Sequence, residues 1–123
     1  MKKIKVLSII QPWAWCIFNA GKNVENRTWK TNYRGELYIH ASKNFDYFRY
    51  PDLLVNNLVP QNLRVFEQGG IIGKVHLVCC IKNYVSSWSE KNKWNWILEK
   101  PETTIFKSCR DMPGIFDLEV DWI

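Results

Sequence analysis

The alternation of apolar and polar residues predicts that most of this chain forms β-strands. The predicted strands cover residues 4–10, 23–29, 36–42, 71–83, 94–99 and 114–120. The longest, residues 71–83, is apolar on both faces, which indicates a strand in the centre of a sheet or barrel. In residues 36–42 the aliphatic side chains point one way, and Tyr38 and His40 point the other. We therefore expect His40 to lie opposite the aliphatic core, on the side where a ligand-facing group would lie.

Helical patterns are confined to two parts of the chain. Pro12 fits the first turn of a helix over residues 13–20, which Gly21 ends. Residues 44–68 are less regular and predict two helical pieces, broken at Pro51 and Pro60. Because strands outnumber helices and Gly and Pro interrupt often, the pattern predicts an α+β fold, a small mixed β-barrel with helices on its rim.

Length and composition are those of a single domain spanning residues 1–123. Of these residues 46% are hydrophobic, enough to bury a core, and no apolar run approaches the roughly 18–20 residues of a membrane span. The positively charged N-terminus resembles the start of a signal peptide, but Gln11 and Pro12 interrupt the apolar segment and no cleavage site follows. We expect a cytoplasmic protein that does not enter a membrane.

The cysteines and histidines do not have the spacing of a metal site. The chain contains Cys16, Cys79, Cys80 and Cys109. Cys79 and Cys80 are adjacent, so in a strand they point to opposite faces. There is no Cys-x-x-Cys, and the two histidines show no ligand spacing. We expect free, mostly buried thiols in a reducing compartment, with no metal and no cofactor.

Positive charge is concentrated in the first third of the chain. Residues 1–43 contain eight Lys and Arg against two Glu, a surplus of +6, so with a net charge of +5 residues 44–123 carry −1. Within residues 21–43 the basic side chains are Lys22, Arg27, Lys30, Arg34 and Lys43. This distribution favours an anionic partner, nucleic acid being the commonest, and a solvated basic surface is the alternative.

Three blocks of sequence together resemble the ASCH domain family. They are Leu7-Ser-Ile-x-Gln-Pro-Trp-Ala14, Gly21-Lys-x-x-Glu-Asn-Arg-Thr-Trp29 and Tyr33-Arg-Gly-x-Leu-x-Ile-His-Ala-Ser-Lys43. The later segments Gly69-Gly-Ile-Ile-Gly73 and Trp94-x-Trp-x-Leu-Glu-x-Pro101 are similar to its downstream landmarks. The resemblance implies a PUA-like β-barrel with a cleft beside the first helix, and a role on RNA, nucleotides or modified bases.

The resemblance also implies which residues form the site. Expected ligand-binding residues are Trp13, Lys22, Glu25, Arg27, Tyr33, Arg34, His40 and Lys43. Trp13 would stack on a base, and the basic side chains would make the cleft positive. Glu25 and His40 would orient the ligand through hydrogen bonds. The expected function is binding of RNA or a modified nucleoside or nucleotide, and alanine at Lys22 or Arg27 is expected to weaken binding without loss of stability.

Two other classes of function stay open. Similar small family members remove the acetyl group from acetylated cytidine, using a Lys-x-x-Thr-x-Arg run in which the threonine is the nucleophile. Here the run is Lys22-x-x-Glu25-x-Arg27, so an amidohydrolase would need Glu25 as the general base for water, with the two cations stabilising negative charge. A ribonuclease would instead use His40 as acid or base. The third class is a protein-interaction module.

Overall fold

The computed structural model describes all residues, 1–123, and contains one six-stranded mixed sheet. The elements in chain order are β1 (Lys2–Gln11), α1 (Trp13–Asn19), β2 (Val24–Arg27), β3 (Gly35–Phe45), α2 (Tyr50–Val55), a 3-10 turn (Leu63–Val65), β4 (Gly70–Ile81), β5 (Trp94–Ser108) and β6 (Ile115–Val120). Their order across the sheet is β2-β5-β4-β3-β1-β6, with β1 and β3 parallel and every other pair antiparallel. The predicted α+β fold is confirmed.

The sheet does not close, so the predicted barrel is wrong. Its end strands, β2 and β6, do not pair with each other. β2 is only four residues long, and β6 pairs with β1 no further than Leu7. Strands β2 and β1 are not paired in the sheet. A side chain connects them: Arg27 Nη2 donates to the carbonyl of Ser8, 2.8 Å away. The open side leaves room for a cavity.

Strand β5 is more than twice the predicted length because Pro101 does not end it. Strand β5 has one extra residue within 99–102 relative to β4. Lys74 pairs with Glu102 and His76 pairs with Glu99, so three steps along β5 correspond to two along β4. The extra residue makes a β-bulge, and Lys100 has a positive φ of 54° there. A bulge removes the need for a ladder hydrogen bond, which is why a strand can accommodate proline at this point.

Both faces of β3 are buried, which corrects the expectation for His40. Leu37 and Ile39 enter the main core between the sheet and α1, as the alternation predicts. Tyr38 packs in a second cluster with residues of β1, β4 and β6, and Trp122 from the C-terminal end packs against this cluster. His40 is 1% exposed. The segment after β5 therefore covers the face that the sequence pattern suggested was open.

Helix α1 lies against the main core at the place where β4 has a glycine. A Cβ atom on Gly73 would lie 2.5 Å from ring carbons of Phe18, closer than packed atoms approach. The absent side chain therefore allows α1 to sit close to the sheet. Leu53, Val59 and Phe66, with Cys16 of the helix, form a third cluster. No helix has the length and apolar content that crossing a membrane requires.

Candidate functional site

A cavity of about 770 Å³ lies beside the first helix. Its wall includes residues 8–10 of β1, the part of that strand beyond its pairing with β6. Other parts of the wall come from α1, β2, the segment containing α2, and the loop between β4 and β5. The polar and aromatic side chains that line it are Ser8, Trp13, Lys22, Glu25, Asn26, Arg27, Arg49, Asp52, Asn56, Ser87, Trp88, Ser89 and Glu90.

Three charged side chains from the Gly21–Arg27 block form a compact cluster in this wall. Lys22 Nζ donates to the carbonyl of Val24 and to Glu25 Oε1, 3.2 Å away. Glu25 Oε2 accepts from Arg27 Nε at 2.9 Å. Lys22 is 4% exposed and Glu25 is 8% exposed, so both charges are withdrawn from water and depend on each other. The cluster carries a net charge of +1, and Arg27 is its most exposed member.

Two tryptophans line the cavity, and only Trp13 was predicted. Its Nε1 donates to Asp46 Oδ2 at 3.0 Å, and Lys22 Nζ lies 5.8 Å from the centre of its ring. The second is Trp88, in the loop between β4 and β5. Asn26 of β2 donates to the Trp88 carbonyl at 2.9 Å and thereby ties the loop to the charged cluster. A tryptophan within an otherwise polar loop was the feature of the sequence that could have indicated this residue.

The segment between β3 and β4 forms another wall that sequence reasoning left undetermined. The residues that line the cavity from this segment are Arg49 just before α2, Asp52 and Leu53 within it, and Asn56 and Leu58 after it. No periodic pattern distinguished them, because α2 is only six residues long. The segment is held in place by apolar packing against α1.

The charge of the lining is balanced, so the cavity is not the basic cleft that was predicted. The cations are Lys22, Arg27 and Arg49, and the anions are Glu25, Asp52 and Glu90. Three positive charges face three negative ones. The excess positive charge of the chain lies on other surfaces, and the cavity itself offers paired donors and acceptors.

Four of the predicted ligand-binding residues lie outside the cavity lining. Tyr33 donates its hydroxyl to the Glu36 carbonyl at 2.5 Å, and Arg34 donates to carbonyls of its own loop. Lys43 is exposed on β3. His40 is buried, with both ring nitrogens in contact with other groups. The structure therefore unites Trp13, Lys22, Glu25 and Arg27 in one site and leaves the remaining four outside it.

The four cysteines are free thiols, and two of them are buried. Burial raises the pKa of Cys16 to about 11, although the nearby Lys22 ammonium acts in the opposite direction. Burial, and then the Asp111 carboxylate, also raise the pKa of Cys109. No group of three or more His, Cys, Asp or Glu side chains is arranged to hold a metal ion.

We expect alkylation to distinguish these thiols. Because the thiolate is the reactive form, iodoacetamide at pH 8 should modify the half-buried Cys79 first and Cys16 last. Peptide mass spectrometry over time measures the order. Rapid modification of Cys16 in the folded protein would contradict the packing of α1 described above.

Together these features define a class of protein: a small α+β domain with an open mixed sheet and, beside its first helix, a cavity lined by charged, polar and aromatic side chains. The family model of the ASCH domain matches residues 7–109. The chain therefore belongs to the ASCH domain family, which assigns it to the PUA-like domains of RNA-binding type. The resemblance carried by the three sequence blocks is confirmed. No curated protein gives a significant match to the chain.

Proposed function

We propose that the cavity binds a single base of RNA or a modified nucleoside. The observation that carries the proposal is the buried cluster of Lys22, Glu25 and Arg27 in the wall of a cavity with two tryptophans. The volume of about 770 Å³ falls within the range of roughly 300–1,000 Å³ of small-molecule sites. Apolar rings with a few fixed polar groups are what a nucleobase requires.

Each group has a role that its contacts allow. Trp13 and Trp88 supply flat surfaces for stacking, which is tolerant of base identity. Arg27 uses Nε and Nη2 within the protein, and its remaining nitrogen can donate to a carbonyl of the base. Glu25 accepts one hydrogen bond at each oxygen, and a carboxylate oxygen can accept a second, for example from an exocyclic amine.

The balanced lining favours an uncharged moiety inside the cavity. A phosphate placed there would meet three carboxylates as well as three cations. In RNA, the base would enter while the phosphates contact exposed lysines and arginines outside, such as Arg34 and Lys43. Those two residues thus keep a role in the proposal although they do not line the cavity.

The sequence also left open hydrolysis by a water molecule that Glu25 activates. The contacts of Glu25 support this function less well than they support binding of a base. Both oxygens of Glu25 are already engaged by cations, which hold the carboxylate as an acceptor in a fixed position. A ribonuclease mechanism with His40 has no direct route to the ligand, because His40 is 1% exposed and outside the lining. Binding is therefore the function that the geometry supports best.

Calorimetric titration with cytidine, acetylated cytidine and a short single-stranded RNA tests the proposal. Replacing Trp88→Ala should weaken nucleoside binding about 5- to 150-fold, since one stacked base contributes about 1–3 kcal/mol. Trp122→Ala, which removes a ring far from the cavity lining, should leave binding unchanged.

Salt provides a second criterion in the same titrations. Nucleoside affinity should be nearly independent of salt, whereas RNA affinity should fall steeply as phosphate contacts are screened. Absence of binding by every ligand, or equal affinity of wild type and Trp88→Ala, would contradict the proposal.

A further inference from the structure

Two lysines and a tryptophan form a positively charged patch outside the cavity lining. Lys30 lies in the loop after β2, Lys82 directly follows β4, and Trp94 begins β5. The ammonium nitrogens of Lys30 and Lys82 lie 5.5 Å and 4.9 Å from the centre of the Trp94 ring. We call these three residues the Trp94 patch. Three separate segments of the chain thus bring two cations to one aromatic ring.

The positive charge of the Trp94 patch is not compensated within the protein. Lys30 and Lys82 are exposed, and neither forms an ion pair with Asp or Glu. Lys5 and Lys74, in contrast, are each paired with a carboxylate. The segments that form the patch, residues 28–34, 79–89 and 91–98, contain five Lys and Arg and no acidic residue, and Glu90 between two of them lines the cavity.

Strand register places the Trp94 patch next to the cavity wall. Trp94 is the partner of Arg27 in the antiparallel ladder between β2 and β5. Such partners project from the same face of the sheet, with Cβ atoms about 4.5–5.5 Å apart. Arg27 lines the cavity, whereas none of the three patch residues does. The patch therefore begins one side chain beyond the wall of the cavity.

The indole ring restricts the positions of the two ammonium groups. A cation over the face of a tryptophan is attracted to the ring, so a long side chain that would otherwise move freely in water is partly ordered. Less conformational entropy is then lost when the lysines bind a ligand. An ammonium group has three N–H donors, and those directed away from the ring can bind an anionic oxygen. Phosphate oxygens have the charge and the acceptor capacity that this arrangement requires.

We propose that the Trp94 patch binds the phosphate backbone of single-stranded RNA, next to the nucleotide whose base occupies the cavity. The inference rests on the proposed function, and it makes an RNA strand the ligand in place of a free nucleoside. The base enters the cavity, where the charges are balanced, and the adjoining phosphates continue past Arg27 onto Lys30 and Lys82. A single strand is required because its bases can be unstacked and turned into a cavity.

Titration of a short fluorescent single-stranded RNA at several salt concentrations tests the inference. The double variant Lys30→Gln/Lys82→Gln removes both charges and keeps two long polar side chains. Its RNA affinity should fall about 10-fold at low salt, since two exposed ionic contacts are lost. The slope of log affinity against log salt should become shallower by about 0.7 for each lost phosphate contact. Cytidine, which has no phosphate, should bind the variant and the wild type equally.

Lys100→Gln/Lys107→Gln is the matched control. Both lysines lie in the part of β5 beyond its pairing with β2, and the ammonium of Lys107 lies 5.9 Å from the ring centre of Trp122. This variant removes the same net charge and also takes a lysine from a tryptophan ring. Its RNA affinity and salt slope should remain those of the wild type. Circular dichroism establishes that both double variants are folded.

Four results would overturn the inference. They are no RNA binding by the wild type, wild-type RNA affinity and salt slope in Lys30→Gln/Lys82→Gln, the same loss of affinity in the control, and a loss of cytidine binding equal to the loss of RNA binding. The last result would mean that the two lysines act on the base. Absence of cytidine binding to the wild type would instead contradict the proposed function, while the RNA titrations still report on the Trp94 patch.

Discussion

Replacing Glu25→Ala should lower the free energy of unfolding by about 3 kcal/mol, because removal of one partner from a buried ion pair leaves the other uncompensated. Lys22 is 4% exposed, and its ammonium would retain only the Val24 carbonyl as a hydrogen-bond partner. For a domain of this size the melting temperature should fall by roughly 10 °C. Thermal unfolding followed by circular dichroism measures the change.

The matched control is Glu36→Ala. Glu36 also pairs with a lysine, Lys74, at 3.1 Å, but its side chain is 47% exposed. Exposed pairs contribute about 0–1 kcal/mol, so this variant should remain close to the wild type in stability. If Glu25→Ala were as stable as Glu36→Ala, the buried cluster would not be coupled as described.

Burial of the cluster also changes what is expected of Lys22→Ala. From the sequence, we expected Lys22 to contact the ligand and its replacement by alanine to leave the stability of the protein unchanged. Since Lys22 compensates the buried Glu25, its removal should destabilise the protein as well as weaken binding. Arg27, whose side chain is 24% exposed, is the better position for separating binding from stability.

Trp96→Ala should have the largest effect on stability, a loss of about 3–5 kcal/mol. Trp96 is fully buried in the main core, and its ring lies edge-on to Trp29 with centroids 4.8 Å apart. In the ladder between β2 and β5 it pairs with Glu25. Its loss should therefore create a cavity and also loosen the strand that positions the charged cluster, which would reduce nucleoside binding.

Denaturant unfolding measures this prediction, with Trp122→Ala as the control. Trp122 is half-buried and makes an edge contact with Tyr38, so its removal should cost less than removal of the fully buried Trp96. If Trp96→Ala and Trp122→Ala lowered the free energy of unfolding equally, Trp96 would not hold β2 on the sheet.

Local patterns predicted the parts of this protein that depend on neighbouring residues. The alternation in β3 and the helix after Pro12 each follow from residues a few positions apart, whereas Lys22, Glu25 and Arg27 were expected from the family resemblance. The strand and the helix are set by periodicity, which a single sequence displays directly.

The features that the sequence did not predict depend on contacts between segments far apart in the chain. His40 is buried because its ring meets the carbonyl of Cys109, which lies 69 residues further along the chain. Trp88 joins the cavity because Asn26, 62 residues earlier, holds its loop. The sheet stays open because β2 is short and the pairing of β6 with β1 ends at Leu7. Which residues of β1 and β6 pair is decided between segments about 110 residues apart, and the sequence does not display it.

The most direct test of the central claim is a nucleoside titration followed through the indole N–H signals of the seven tryptophans, each assigned by a single Trp→Phe replacement. If a base stacks in the cavity, the signals of Trp13 and Trp88 should shift in a saturable way. The signal of Trp122, which lies outside the lining, should stay in place. No saturable shift at Trp13 and Trp88, or a shift confined to Trp122, would contradict the assignment of this cavity as the nucleoside site.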